Sequence, residues 1–362
     1  MKILSLCNMK PDKFGGFERY LIGFSKFLAK NGHEHHIWFC CEPISPVKDA
    51  LLKSGAKYRV IDDKGLGFKN SVTYVLDINK AHYDILHIHF YPYHSLLSFL
   101  LFFTKIKQFF TYHISGAPAQ THGLKKLLKK IRTCIVGAGI DKVFCVSEYN
   151  RNKFINDFQV SYSKTQLIYN GVELNDNHPK IDKHLDHLPV IITVGYLIEE
   201  KGVQYLIHAM ALLKQIKCNV MIVGDGPYKS TLERYTDEYG VKDKISFLGV
   251  RNDVPDLLQQ ADIAVIPSIW QEACAYTVIE SAAAGLPIVA TRVGGNPELV
   301  REGYNGFIVE AHNANALADK LKLLLDDREL REKMAQNSRQ LAEVEFDIQR
   351  VFQQQLNAFV KN

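Results

Sequence analysis

The sequence predicts an α/β protein made of two tandem, doubly wound, Rossmann-like units facing across a cleft. Three observations carry this. Short, almost continuously apolar strands alternate with amphipathic helices, which is the pattern of a parallel sheet covered on both faces. A polar, His/Asp/Asn-rich stretch from Glu173 to Pro189 breaks the alternation once, after which it restarts. The 362 residues are about two domains' worth, and each half can bury its own core.

The elements follow in order. KILSLC is the first strand, Gly15-Gly16 the loop, and Phe17, Tyr20, Leu21, Phe24, Phe27 and Leu28 recur at helical spacing. Asn31-Gly32 stops that helix, and HHIWFCC begins the next strand. DILHIHF, KQFFTYH and KVFCVS continue the series. After the polar stretch come VIITVGYL, a loop to Gly202, a helix to about Gln215, NVMIVGDG, KISFLGV, IAVIPS, PIVATRV and GFIV. Two helices are expected near 313–344 and a last one from about 347 to 361. The expected boundaries are 1–172 for the first unit, 173–189 for the linker and 190–345 for the second unit. A terminal helix, 346–362, is expected to pack back on the first unit. In such sheets ligands bind outside the carboxyl ends of the strands.

Composition narrows the function classes. At 47% hydrophobic and 23% charged, with no low-complexity tract, the chain reads as soluble and globular. With strand-like KILSLC directly after Met1, no signal peptide is expected, and Leu96 to Phe103 is too short for a span of about 20 residues. Seven cysteines without a C-x-x-C pair read as reduced thiols in a cytoplasmic protein. Residues 1–175 hold 24 Lys/Arg against 13 Asp/Glu, and the remainder 20 against 26. The basic half is expected to face something anionic. No recognition motif points to nucleic acid.

Four features can carry chemistry. Gly15-Gly16, between strand and helix, lets a ligand approach the backbone, or is simply a tight turn. Lys201, in Glu199-Glu200-Lys201-Gly202, sits at the matching turn of the second unit, where it could hold a phosphate or merely be solvated. Gly224-Asp225-Gly226-Pro227 is weak on its own. The stretch WQEACAYTVIESAAAGLPIVAT places Glu272 just ahead of a helix and Glu280 about two turns into it. Two acids flanking helix-terminal N–H groups suit a ligand with sugar hydroxyls on either side of a phosphate. The alternative is a helix cap and a satisfied buried acid. His87 and His89 share a strand face, but no third metal ligand is placed nearby, so neither a metal nor a cofactor is expected.

Glu-x7-Glu followed by AAAGLPIVAT and Val293-Gly294-Gly295-Asn296-Pro297-Glu298 resembles the retaining family 4 glycosyltransferases of GT-B fold. GGFERYLIGFSKFLAKNGHE, DILHIHF, TYH, VSEYNRNKF, IYNGVE, EEKG and ADIAVIPS also fall in the family's order, over nearly the whole chain. The resemblance implies donor-sugar hydroxyls on Glu272, the nucleotide ribose on Glu280 and the donor diphosphate on Lys201. It implies Gly16, with Gly15 beside it, near that diphosphate and the acceptor, and His113 near the reacting sugar. It implies Gly249, Val250 and Arg251 touching the base through the backbone. Two departures concern substrate choice: Tyr196 stands where the family commonly has arginine, and Ala273-Cys274-Ala275 follows the first acid where a glycine and an aromatic are usual. The chain has no D-x-D.

The activity implied is transfer of a hexose-type sugar, with retention, from a nucleotide-diphosphate sugar to a hydroxyl of a glycan or a polyprenyl or other lipid-linked acceptor. Cell-surface polysaccharide or lipopolysaccharide synthesis is the setting expected. The first domain of the family usually binds the acceptor. GLKKLLKKIR puts Lys125, Lys126, Lys129 and Lys130 around an apolar stripe, suiting either an anionic membrane surface at the inner leaflet or plain solvation. A nucleotide-sugar epimerase of the same fold and a non-catalytic nucleotide-sugar binder are the alternatives.

Overall fold

The computed structural model describes residues 1–12, 14–61, 68–93, 95–113, 123–174 and 188–361. The chain divides into two compact units, one of Met1–Tyr169 with Gln349–Asn362, the other of Asn170–Ile348.

The first unit is a seven-stranded, wholly parallel sheet. Its strands are β1 (Lys2–Cys7), β2 (Glu34–Phe39), β3 (Lys57–Val60), β4 (Ile85–His89), β5 (Lys107–Tyr112), β6 (Lys142–Cys145) and β7 (Thr165–Leu167). They lie in the order β3-β2-β1-β4-β5-β6-β7. The order reverses between β1 and β4, so the ligand crevice belongs beyond Cys7 and His89, which are paired across that seam. Side chains alternate across a strand. Leu86 and Ile88 therefore join Leu4, Leu6, Trp38, Phe110 and Tyr112 in the core under one face.

His87 and His89 point to the other face. There they meet the rings of the helix Gly16–Lys30 and of the terminal helix Ile348–Lys361: Phe17 lies 5.1 Å from His89, and Phe359 5.4 Å from His87. The terminal helix is tied in by fully buried Phe352 and Phe359 and by a buried bond from the Tyr20 hydroxyl to Gln355 Oε1 at 2.7 Å.

The second unit is a six-stranded parallel sheet: β8 (Val190–Val194), β9 (Asn219–Val223), β10 (Ile245–Gly249), β11 (Ile263–Ile266), β12 (Ile288–Thr291) and β13 (Gly306–Val309). The order is β10-β9-β8-β11-β12-β13, with its reversal between β8 and β11. Its core gathers Ile191, Ile222, Val265 and Val289 beneath the helix Val203–Leu212 and the helix Ala314–Asp326. Two strands went unread in the sequence, β3 (KYRV) and β7 (TQL). The first is an edge strand whose residues are mostly exposed, and the second has only three residues; neither presents an apolar run.

Candidate donor site and histidine cluster

At the β8/β11 reversal, two loops leave the sheet side by side and each brings one ionisable group. The loop after β8 closes in a short 3₁₀ turn, Glu199–Lys201, capped by Gly202 at φ +70°. A Cβ on Gly202 would lie 1.9 Å from the Pro267 carbonyl, so only glycine lets this loop touch the loop after β11. The Glu200 carbonyl accepts the N–H groups of Ile269 and Trp270, at 2.9 and 3.2 Å. Thus held, Lys201 Nζ lies 2.6 Å from Glu272 Oε1, and Ser268 Oγ donates to the same oxygen at 2.9 Å. Lys201 and Glu272 are separated by 71 positions in the chain, and the Glu272 side chain is only 14% exposed.

Glu272 is also gripped from behind. Gly295 N–H donates to its carbonyl at 2.8 Å, and Gly294 N–H donates to Gln271 Oε1 at 2.7 Å. Gly294 has φ +53°, and a Cβ there would meet the Glu272 carbonyl oxygen at 1.9 Å. Thr291 Oγ1 donates to the Ser268 carbonyl, and Asn296 Nδ2 to the Thr291 carbonyl at 3.2 Å. Sequence reasoning noticed the glycine pair but missed Ser268, Gln271, Thr291 and Asn296 as supports of the acid. A hydroxyl or amide in a loop carries no signal of its own.

The other donor-side residues expected in the second unit lie on its strand ends, loops and one helix. Ala273, Cys274 and Ala275 are buried, and the Cys274 carbonyl accepts from Asn170 Nδ2 at 3.2 Å. Burial pushes the Cys274 thiol up to about 12, so it is an inert filler at neutral pH. The helix runs over Tyr276–Ala283, with half-buried Glu280 in its second turn. Tyr196 is 61% exposed at the mouth of the recess lined by Gly195, Lys201, Pro267, Ser268 and Thr277. Val250 is also exposed, Gly249 takes φ +65°, and Arg251 Nε is held by Asp253 Oδ1 at 2.7 Å. That fork occupies the Arg251 side chain and leaves its backbone as the part presented.

In the first unit, Gly15 precedes the helix Gly16–Lys30, and its N–H donates to Glu18 Oε2 at 3.0 Å. His113, just past β5, has its Nε2 3.2 Å from His89 Nδ1. Its ring stacks on Phe90, with centroids 4.3 Å and planes 16° apart, and meets Phe17 edge-on at 5.4 Å. Burial lowers the His113 pKa to about 3 and holds His87 and His89 well below the usual histidine value. The sequence put His87 and His89 on one strand face and His113 on another strand; it is the β4/β5 register that brings His113 to them. Among the described residues, no group of three or more His, Cys, Asp or Glu is arranged to hold a metal ion. The helix Gly123–Gly139 is present, but the side chains of Lys125, Lys126, Lys129 and Lys130 lie outside the described residues.

Comparison with known proteins agrees with this architecture. Residues 14–176 match the family described as Glycosyltransferase Family 4, and residues 175–341 match Glycosyl transferases group 1. Spore coat protein SA of Bacillus subtilis is 30% identical over 62% of this chain and 66% of its own length. The UDP-Gal:alpha-D-GlcNAc-diphosphoundecaprenol alpha-1,3-galactosyltransferase of Escherichia coli is 28% identical over 52% of each chain. The chain thus spans between about half and two thirds of these two curated relatives. Among solved structures, a glycosyltransferase from Rickettsia africae superposes with a TM-score of 0.84 at 22% identity, covering 99% of this chain and 98% of its own. Anabaena Alr3699/HepE in complex with UDP and glucose gives 0.81 at 22% identity, over the whole of both chains. At these identities the structures establish the fold alone, which is GT-B.

Proposed function

The chain belongs to glycosyltransferase family 4, and on that premise we propose that it moves a hexose-type sugar from a nucleotide-diphosphate sugar to an acceptor hydroxyl. The observation that carries the proposal is the Lys201–Glu272 pair at the β8/β11 reversal. A cation and a hydroxyl-accepting carboxylate, set side by side where α/β sheets bind ligands, match a diphosphate joined to a sugar. Lys201 neutralises the diphosphate as the bond from the anomeric carbon to the phosphate oxygen breaks. Glu272 accepts hydrogen bonds from the sugar hydroxyls and orients the ring. Glu280 holds the ribose, and the Gly249–Val250 backbone lies against the base. The acceptor oxygen bonds to the anomeric carbon on the face the phosphate leaves, and a phosphate oxygen takes its proton, so configuration is retained. No metal is required in this scheme, because Lys201 and backbone dipoles carry the leaving-group charge.

The acceptor proposed is a glycan or a lipid-linked sugar. The diphosphoundecaprenol named for the Escherichia coli relative supports a lipid carrier, and the UDP and glucose of the HepE complex support a UDP-sugar donor. No helix of the described residues is long and apolar enough to cross a membrane. We place the enzyme at the inner leaflet by peripheral association, through the lysine-rich helix Gly123–Gly139. Retention of the protein by anionic liposomes at low salt, and its loss at high salt, is the expected flotation result.

Glu272→Ala tests the central claim. Transfer should fall by about 100- to 1000-fold, the range for removing one preorganised polar group, with the fold intact by circular dichroism. Near-normal transfer by that variant would overturn the assignment. A thermal-shift screen of nucleotide sugars identifies the donor, because a ligand at 100 times its Kd adds about 2.7 kcal/mol. Tyr196 favours one other reading, since it brings no charge where the family commonly has arginine. Donor binding without transfer across a broad acceptor panel would make the protein a sugar-nucleotide binder.

A further inference from the structure

The histidine cluster of the first unit fixes how His113 can act. His89 is fully buried on β4; its Nδ1 faces His113 Nε2 at 3.2 Å, and among the described residues its Nε2 has no hydrogen-bond partner. Burial keeps both rings neutral, so each carries one N–H and one bare nitrogen. Two arrangements satisfy the contact. If His113 donates from Nε2, the His89 proton is forced onto its own Nε2, leaving a buried N–H with nothing to receive it. If His89 donates from Nδ1, the unpartnered atom is a bare nitrogen instead. Orphaned buried N–H groups are the rarer and more costly defect, so the second arrangement holds. His87 repeats the pattern: its Nε2 lies 2.7 Å from Thr111 Oγ1 and its buried Nδ1 has no partner among the described residues, which puts its proton on Nε2.

From this geometry we infer that His89 is a positioning residue that locks His113 as the neutral Nδ1–H tautomer, so that His113 gives a hydrogen bond and takes no proton. The ring is fixed in place as well as in protonation. Phe90, which stacks on it, holds a left-handed backbone at φ +60°, a strained conformation for an aromatic residue that persists only when the surroundings impose it. The strain places that ring flat on His113 while Phe17 closes one edge. With Nε2 engaged by His89, the nitrogen that remains is an N–H donor, suited to a sugar oxygen. That last use rests on the glycosyltransferase reading; the tautomer does not.

The test is a long-range ¹H–¹⁵N correlation spectrum of the ¹⁵N-histidine-labelled full chain, with the His113 signals assigned by their loss in His113→Asn. The expected result for the unsubstituted protein is a bare-type Nε2 and a protonated-type Nδ1 from pH 5 to 8. His89→Leu should convert His113 to a mixture of tautomers. His89→Asn, whose amide replaces the Nδ1–H, should restore the single form. A protonated Nε2 in the unsubstituted protein overturns the inference, and this arm does not depend on any variant folding. So does a limb in the pH profile of transfer between pH 5 and 8 that His113→Asn removes, since it would show a titrating base. Transfer should drop roughly tenfold in His89→Leu and recover in His89→Asn. If the tautomers behave as expected while transfer follows neither variant, the inference stands and the sugar-contacting role given to His113 falls instead.

Discussion

Gly294 and Gly249 both take left-handed backbone, and the difference between them shows what a missing side chain does. A Cβ on Gly249 meets nothing within 4 Å, whereas one on Gly294 overlaps the Glu272 carbonyl. Gly249→Ala should therefore cost only the backbone conformation, about 1–2 kcal/mol. Gly294→Ala should cost more, because the loop bearing Glu272 must move, and donor binding should weaken with it. Urea denaturation measures the first effect, and thermal shift with the bound donor the second. Equal costs for the two would show that the Glu272 loop yields freely. From the sequence, Gly294-Gly295 could be noticed but not interpreted. Its meaning lies in a 1.9 Å approach to a carbonyl 22 positions upstream, and no local pattern encodes that.

Among the elements, the terminal helix Ile348–Lys361 packs its aromatic side chains into the first unit. Phe359 is fully buried against His87, Phe109 and Phe144, and Phe352 against Phe24 and Tyr20. With the helix Gly16–Lys30, whose Phe17 meets His89 and Phe24 meets His35, it covers the polar face of the first sheet over His87. Phe359→Ala should destabilise the first unit by about 3–5 kcal/mol, read by chemical denaturation. A cost below 1 kcal/mol would mean that the helix is only loosely seated. The helix itself was legible, because VFQQQLNAFV has helical apolar spacing. Strands β1, β4, β8 and β11 were legible as short runs that are largely buried and mostly apolar. The pairing of Lys201 with Glu272 was not, since it follows from β8 and β11 being neighbours in space while lying far apart in sequence.

At the scale of the whole molecule, the buried histidines make the first unit sensitive to acid. His35 lies between Ser5 Oγ at 2.8 Å and Ser25 Oγ at 2.7 Å, and burial lowers its pKa to about 3, as it does that of His113. Each is neutral when folded but gains a proton near pH 6.5 when unfolded. The stability each contributes is complete above pH 6.5 and is lost as pH falls toward 3, at about 1.4 kcal/mol per pH unit and per group. His87 and His89 add to the same window. The two tryptophans make this measurable, because buried Trp38 reports on the first unit and half-exposed Trp270 on the second. In single-tryptophan variants, the Trp38 transition should move to lower urea between pH 6.5 and 4, and the Trp270 transition should move less. Parallel shifts would assign the acid sensitivity elsewhere.

The Lys201–Glu272 contact also bears on turnover. The ammonium of Lys201 and the carboxylate of Glu272 each satisfy the other. On the proposed reading, a complete nucleotide sugar replaces both halves of the contact at once, its diphosphate for the carboxylate and its hydroxyls for the ammonium. Once the sugar has gone to the acceptor, the remaining nucleoside diphosphate satisfies Lys201, and Glu272 keeps the Ser268 hydroxyl. Re-forming the contact then competes with the spent nucleotide for Lys201, so the enzyme's own carboxylate acts as the displacing ligand in product release.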